Sequence, residues 1–546
     1  MQEDRRISPV LLYGLPIILT AAIKLLIWSP QVTPFNSDEA IVALMARHFT
    51  LGQLTPFFYG QYYMGSLDAI LVSLLFRLLG EHIWVIRMLQ CLLYVGTVVT
   101  TVTLAVRITG SRRSALFAGI LAAVPPVNVV LYTTVSLGGY GEMLLIGNLL
   151  LLSGLSLLEE IHIPGAFTSW RIYLGLFFWS MGAGFAFWVI GLSLVYTVPI
   201  LLMIGWELYK TVNSRGKFLV YGALIMLLGF GLGSSPWWFS ALLTQDHSIV
   251  TELLGGAIAN ANPGFWLLRP LLRFGSLVVF GLSVIVGMRP PWGVTWLMLP
   301  LLPFVLIFWL AVFIVNLKSV SLAKNRGRII LLSIGVVLAA GFIFSPYGDD
   351  PSGRYFLPLI VPMAVLGADL ITRHFQEKAV VQLGLLLVVI AFNLGGTLQS
   401  RLEIPPGLTT QFDPVAQVDH SYIDDLIGFL EDQDINTGYS NYWVAYPVAF
   451  LSEEKIILSP RLPYHQDFRY TERDDRYPLY TDLVETSDEI AYITTRNPEL
   501  DDYLRNHFSG LDISWKEQRI GDYTVYYDLS APIHVSQIGL GVTTQP

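Results

Sequence analysis

The sequence predicts a polytopic α-helical membrane protein that carries a small α/β domain at its C-terminus. Three observations lead there. The 546 residues are 53% hydrophobic, with a mean hydropathy of +0.57. Only 14% are charged, against about 25% in soluble domains. The charge is also partitioned. Residues 401–546 hold 25 acids and 10 bases, whereas residues 1–400 hold 16 acids and 23 bases. A basic membrane part (residues 1–399) and an acidic soluble part (residues 400–546) in different solvents account for that split.

A spanning helix needs about 20 predominantly apolar residues. Runs of that kind lie at 10–28, 83–106, 114–132, 140–158, 171–187, 189–206, 218–236, 294–316, 328–346, 354–371 and 379–397. The first has no small-residue cleavage site before Ser29-Pro30 and reads as an uncleaved span. Two more apolar stretches, 66–79 and 271–288, are ambiguous. The positive-inside rule arbitrates. Arg5-Arg6, Arg107/Arg112/Arg113, Lys210/Arg215/Lys217, Lys318/Lys324/Arg326/Arg328 and Arg373/Lys378 all fall in the cytoplasm only if neither stretch crosses. The prediction is therefore about eleven spans rather than thirteen, with both stretches as juxtamembrane helices in outer loops 29–82 and 237–293. The N-terminus is then cytoplasmic and the C-terminal domain extracytoplasmic, in a plasma (inner) membrane. In that domain, Asp424 to Asp432 reads as helix, Lys455 to Leu458 and Ile490 to Thr494 as strands, and Asp522 to Asp528 as an edge strand.

Several function classes find no support. The single cysteine, Cys91, allows no internal disulfide. The nine histidines show no metal-ligand spacing, so no dedicated zinc site is expected and nothing supports a divalent cation. No Walker loop, dinucleotide fingerprint or haem motif occurs, and no nucleic-acid partner is expected.

The first outer loop carries the candidate chemistry. Asp38-Glu39 follows the first span directly, within Phe35-Asn36-Ser37-Asp38-Glu39-Ala40. Two adjacent acids beside a low-dielectric bilayer are electrostatically costly, which points to use. The plainer reading is a helix start, since Asn36 and Glu39 have capping-box spacing before an amphipathic helix 38–50 with Ile41, Leu44, Met45 and Phe49 on one face. The segment Thr55 to Asp68 then presents Tyr59, Tyr62 and Tyr63 between Gly60 and Gly65. Their rings and hydroxyls suit either a sugar or the membrane interface. Asp68 heads the helix 66–79, as a dipole partner or a sugar ligand. Arg354-Tyr355 opens a late span after a polar loop, where the guanidinium either snorkels to headgroups or grips a phosphate.

An outer loop after span one, with an acid pair and a second juxtamembrane helix, resembles the GT-C superfamily of polyprenyl-phosphate-sugar glycosyltransferases. The likeness is to family 39 and its relatives, the protein O-mannosyltransferase and aminoarabinose transferase-like enzymes. Where the mannosyltransferases carry His-Pro-Pro-Leu, this chain has Met64-Gly65-Ser66-Leu67, so the acceptor class does not carry over. The resemblance implies an inverting glycosyltransferase acting on a polyprenyl-phosphate-linked donor and an extracytoplasmic protein, lipid or glycan acceptor. It implies Asp38 as general base with Glu39 assisting. It implies Arg354, with Tyr355 beside it and Arg87 in the second span, as donor-phosphate ligands. Two alternatives stay open: an O-antigen-ligase or polymerase-like enzyme using Arg269, Arg273 and His247, and a polytopic transporter. Spans nearly free of central acids, in halves that do not match, argue against the transporter.

Overall fold

The computed structural model describes residues 7–163, 169–211, 216–244, 248–253, 268–318, 326–403, 407–413 and 416–541. The first loop is bounded by α1 (Pro9–Ile27), which Ser8 caps through Leu11, and by a later long helix. Between them lie α2 (Ser37–Thr50), a small hairpin β1 (Phe57–Phe58) and β2 (Gln61–Gly65), and α3 (Leu67–Leu79). The bundle continues through α4 (Ile83–Thr109), α5 (Arg112–Ala123), α6 (Val127–Tyr132), α7 (Tyr140–Ile161), α8 (Trp170–Val189), α9 (Leu194–Thr211), α10 (Gly216–Gly233), α11 (Ser235–Thr244) and α12 (Ser248–Leu253). It ends with α13 (Arg269–Ser276), a π turn into α14 (Leu282–Ile285), α15 (Leu302–Lys318), α16 (Arg326–Phe344), α17 (Ile360–His374) and α18 (Ala379–Arg401).

Among the described residues, eight helical segments are long and apolar enough to cross a bilayer. They are α1, α4, α7, α8, α16, α18, α9 with its preceding turn, and α17 with the 3₁₀ turn Arg354–Leu359 before it. A ninth is the α10–α11 pair, bent by 70° at Ser234. The protein is thus multi-pass. The expected span 114–132 is broken, because Pro125-Pro126 removes two backbone donors and splits it into α5 and α6. The expected span 294–316 is helical only from Leu302, leaving α15 with 17 residues. The stretches 66–79 and 271–288 are short helices, as expected. The expected outer loop 237–293 falls partly outside the described residues, His247 included.

At one end of the bundle the basic clusters are held by acids. Arg107 meets Glu159 at 2.7 Å, Arg326 meets Glu207 at 3.3 Å, and buried Arg328 bonds to Asp369. The opposite end carries the C-terminal unit, a mixed five-stranded sheet of β3 (Thr437–Tyr439), β4 (Ile457–Ser459), β5 (Ala491–Thr495), β6 (Lys516–Ile520) and β7 (Tyr523–Tyr527). Its order is β4-β3-β5-β7-β6, with β3 parallel to both neighbours and the other pairs antiparallel. The helices are α19 (Ile423–Asp432), α20 (Tyr442–Leu451), α21 (Pro478–Glu485) and α22 (Pro498–Gly510). The segment 522–528 is not an edge strand: β7 lies between β5 and β6, and exposed β6 takes the edge.

The C-terminal unit sits on α2. Phe450 of α20 packs on Phe35 and Phe76, with centroids at 5.6 and 6.3 Å, and its carbonyl accepts from Arg47 at 3.1 Å. Glu454 accepts from His48 at 3.0 Å and from Tyr480 at 2.6 Å. Hence α2 is not the one-sided amphipathic helix the pattern predicts. Its nominally polar face, Arg47 and His48 included, is buried beneath the C-terminal unit.

Burial alone raises the Glu454 carboxyl, but hydrogen bonds from His48 and Tyr480 and the Arg47 charge outweigh it and hold it below its ordinary value. A carboxylate depressed on folding contributes stability that is complete above its unfolded value and is lost as pH falls through its folded one. Glu454→Gln is therefore expected to destabilise the protein at neutral pH by about 1–3 kcal/mol. In thermal unfolding series, the gap between variant and wild type should close below about pH 4.

Candidate active site

Asp38 is set by the start of α2. Asn36, with extended backbone, caps the helix and accepts from the Asp38 amide at 3.2 Å. The Asp38 carboxylate, half-buried, then meets the C-terminal unit. Oδ1 accepts from the Tyr442 hydroxyl at 2.8 Å and Oδ2 from Thr410 Oγ1 at 2.7 Å. Thr410 in turn accepts from the Asn36 amide at 2.8 Å, so its proton is directed to Asp38. Burial, with Asp38 next, pushes the Tyr442 hydroxyl well above its ordinary value, which keeps it a donor. Each carboxylate oxygen retains a second lone pair for a substrate proton.

Glu39 points the other way. Its carboxylate takes two hydrogen bonds from Arg87, at 3.0 and 2.8 Å. Arg87 also donates to the Trp28 and Thr33 carbonyls, at 2.5 and 2.9 Å. Glu39 is 0% and Arg87 1% exposed. The structure therefore keeps both away from Asp38's carboxylate: they clamp α2 to α4, and Glu39 does not close the expected capping box. Asp68 is likewise buried, bonded by Ser136 and by Gln90 at 3.2 Å. Burial raises its carboxyl, and the hydrogen bonds from Ser136 and Gln90 offset part of that rise. Tyr59 turns to the α2 seam, where its hydroxyl meets His48 at 2.9 Å and its ring stacks on Tyr477 at 4.8 Å. Tyr62 packs edge-on against Phe57 and donates its backbone N–H to Glu252 at 2.7 Å.

The residues that the fold does bring to Asp38 are Tyr63 and Arg354. With Gln61, Tyr140, Tyr442 and Arg476 they line a narrow polar cavity of about 40 Å³. Arg354 begins the 3₁₀ turn ahead of α17, follows Gly353 at φ +107°, and pairs with Asp350 at 2.6 Å. Its Nε and the Tyr140 hydroxyl are buried without an acceptor. Arg273 is committed bidentately to Asp349, at 2.8 and 2.9 Å, and so braces the loop before Arg354. A larger cavity of about 710 Å³ shares Tyr63 with the polar one. It runs between the α8–α9 junction and α16, lined by residues such as Phe187, Val195, Leu338 and Phe342, with Tyr347 and Tyr355 at its polar end.

Sequence reasoning missed Tyr442, Thr410 and Arg476. Arg476 lies in the charged run Glu472 to Arg476, which reads as a solvated surface. No local pattern marks a residue whose partner is some 400 positions away. Among the described residues no group of three or more His, Cys, Asp or Glu gathers around a metal position.

No protein-family model matches the chain, and no curated protein matches it by sequence. Solved structures do share its fold. ArnT from Cupriavidus metallidurans bound to undecaprenyl phosphate aligns with a TM-score of 0.54 at 13% identity, over 96% of this chain and 99% of that one. The Archaeoglobus fulgidus oligosaccharyltransferase in complex with zinc and sulfate aligns at 0.53 and 12% identity, over 88% and 67%. The same organism's AglB, in complex with an inhibitory peptide and a dolichol-phosphate, aligns at 0.51 and 12% identity, over 88% and 69%. The likeness is one of fold: the chain has a GT-C-like fold, as the sequence resemblance implied.

Removing one partner of a buried ion pair strands the other, at a cost of about 3–5 kcal/mol. Glu39→Gln is expected to lose stability on that scale in unfolding of the detergent-solubilised protein, by freeing Arg87.

Proposed function

We propose that this chain transfers a sugar from a polyprenyl-phosphate-linked donor to an acceptor outside the cytoplasm. The observation that carries the reading is a pair of neighbouring cavities that share Tyr63 in their walls. A polar one is lined by an acid, Asp38, and two guanidiniums, and an apolar one has Tyr63 in its wall as well. An amphipathic donor needs that combination: an apolar channel for the prenyl chain and cations for the phosphate. An arginine fork matches phosphate oxygens in geometry and charge.

The reaction is a single displacement with inversion at the anomeric carbon. Asp38 removes the proton of the acceptor hydroxyl as its oxygen bonds to that carbon. The bond to the phosphate oxygen breaks, and its electron pair stays on the phosphate. The leaving group is a stable anion that requires charge stabilisation rather than protonation. Arg354 supplies it. Tyr355, whose hydroxyl is buried without a partner at the mouth of the apolar cavity, is placed to meet the lipid next to its phosphate. Tyr63, between the two cavities, offers its ring to the sugar. Glu39 and Arg87 position Asp38 through the α2–α4 clamp. Under this proposal the chain sits in the plasma (inner) membrane with its N-terminus in the cytoplasm and the C-terminal unit outside, the orientation that the bias of basic residues favours. On this reading the chain divides into a catalytic membrane domain, 1–399, and an extracytoplasmic domain, 400–546.

Transfer assays with labelled polyprenyl-phosphate and polyprenyl-diphosphate sugars test this. Wild type is expected to use the monophosphate donor. Asp38→Asn should lower turnover by about 10²–10⁴-fold while the bundle stays folded. Undiminished transfer by that variant refutes the base assignment.

A further inference from the structure

The polar cavity has two walls. The membrane part supplies Asp38, Tyr63, Tyr140 and Arg354, and the C-terminal unit supplies Tyr442 and Arg476. Arg476 is reached through a close backbone approach. The hairpin turn at Gly60 has φ +64°, and a Cβ there would lie 2.9 Å from Arg476 Cδ, so only glycine leaves room. The Arg476 guanidinium donates to the Gly60 carbonyl at 3.2 Å. With the Gln61 amide oxygen turned toward it, it also donates there, at 2.6 and 2.8 Å. Both acceptors are neutral. The ring of Tyr442 lies 5.7 Å from the guanidinium, and the Nε donor is buried without an acceptor.

Arg354 and Arg476 thus differ in charge balance. Arg354 is matched by Asp350 at 2.6 Å. Arg476 has no carboxylate within ion-pair distance among the described residues. Burial would lower it, but Tyr442, Tyr63, Asp474 and Asp38 together carry it above its ordinary value, so its charge is permanent. Two guanidiniums on one cavity, each with a buried Nε lacking an acceptor, suit an anion that accepts in several directions.

We propose that Arg476 is a second ligand of the donor phosphate, so that the C-terminal unit is part of the catalytic centre. This rests on the transferase reading above and adds to it a requirement for both walls. The charges follow the reaction. A glycosyl phosphate ester has one negative charge, and the phosphate it releases has up to two. When Asp38 takes the acceptor proton, its own charge disappears. The Arg476 charge, offset at a distance until then by Asp474 and Asp38, loses one of those two carboxylates as the phosphate's new charge arrives. The total charge of site and substrates is unchanged throughout. Thr410 and Tyr442 act as positioning residues, holding Asp38 through their hydroxyls.

The test is lipid binding to the full chain in nanodiscs, comparing undecaprenyl phosphate with undecaprenol. Wild type, Arg476→Gln and Arg476→Lys are measured side by side. Wild type is expected to prefer the phosphate. Arg476→Gln should weaken binding of the phosphate by roughly 10- to 100-fold, with undecaprenol unaffected, and Arg476→Lys should recover part of the loss. If Arg476→Gln binds both lipids as wild type does, the role of Arg476 is overturned while the transferase reading stands. If wild type itself does not distinguish phosphate from alcohol, the transferase reading falls, and this one with it. An equal loss of both lipids in both variants also overturns the proposal, because it marks collapse of the hairpin seat rather than loss of a charge.

Discussion

Helix α2 is held from two sides, and the rest of the site depends on that. From below, the buried Glu39–Arg87 pair ties its first turn to α4, and Arg87 also donates to carbonyls of the 28–33 segment. From above, Tyr442, Thr410, Phe450 and Glu454 seat the C-terminal unit on the same helix. An ion pair removed from water is a poor source of net stability, yet breaking it is costly. It serves as a register pin. With Glu39 fixed, the side chain one residue earlier must emerge on a different side of α2, and there it meets the cavity.

The cavity shows the same economy. Its polar groups come from the start of α2, the hairpin after it, the start of α7, the 3₁₀ turn before α17 and the C-terminal unit. Each is an element end or a connection, where backbone can turn sharply and side chains converge. Consecutive glycines at 138 and 139, with φ +72° and +71°, let the chain approach Phe58 and the Val189 carbonyl before α7 begins. The larger cavity is built differently, from the flanks of helices whose apolar side chains face one another. An apolar cavity beside a polar one, with Tyr63 in the wall of both, follows from placing these two kinds of construction together.

Arg354 and Arg476 illustrate how identical side chains acquire different roles. One is matched by a carboxylate four residues earlier and anchored on a braced loop. The other rests on neutral acceptors across the interface between the two parts. In a low-dielectric cavity a charge without a fixed partner is the one most responsive to what enters. On the proposed reaction, that makes the C-terminal unit more than a cover.

Composition and hydropathy by themselves determined the membrane class, most of the long helices, the short helix after the first loop and the acidic α/β unit. Each depends on local or periodic properties of consecutive residues. Local chemistry also determined Asp38 as a candidate, because an acid pair beside a span is costly wherever the chain folds. What lay beyond local reading was which acid of the pair faces a cavity, and why. The family resemblance ranks Asp38 above Glu39, but only the packing of α4 assigns Arg87 to one of them. The same holds for Arg87, Asp68, Tyr59 and Tyr62, whose partners are supplied by other segments. Tyr442, Thr410 and Arg476 reach Asp38 or its cavity from about 400 residues away, and β7 becomes an interior strand only because β6 pairs outside it. Those choices are made by burial and by hydrogen bonds across distant segments, and tertiary structure alone decides them.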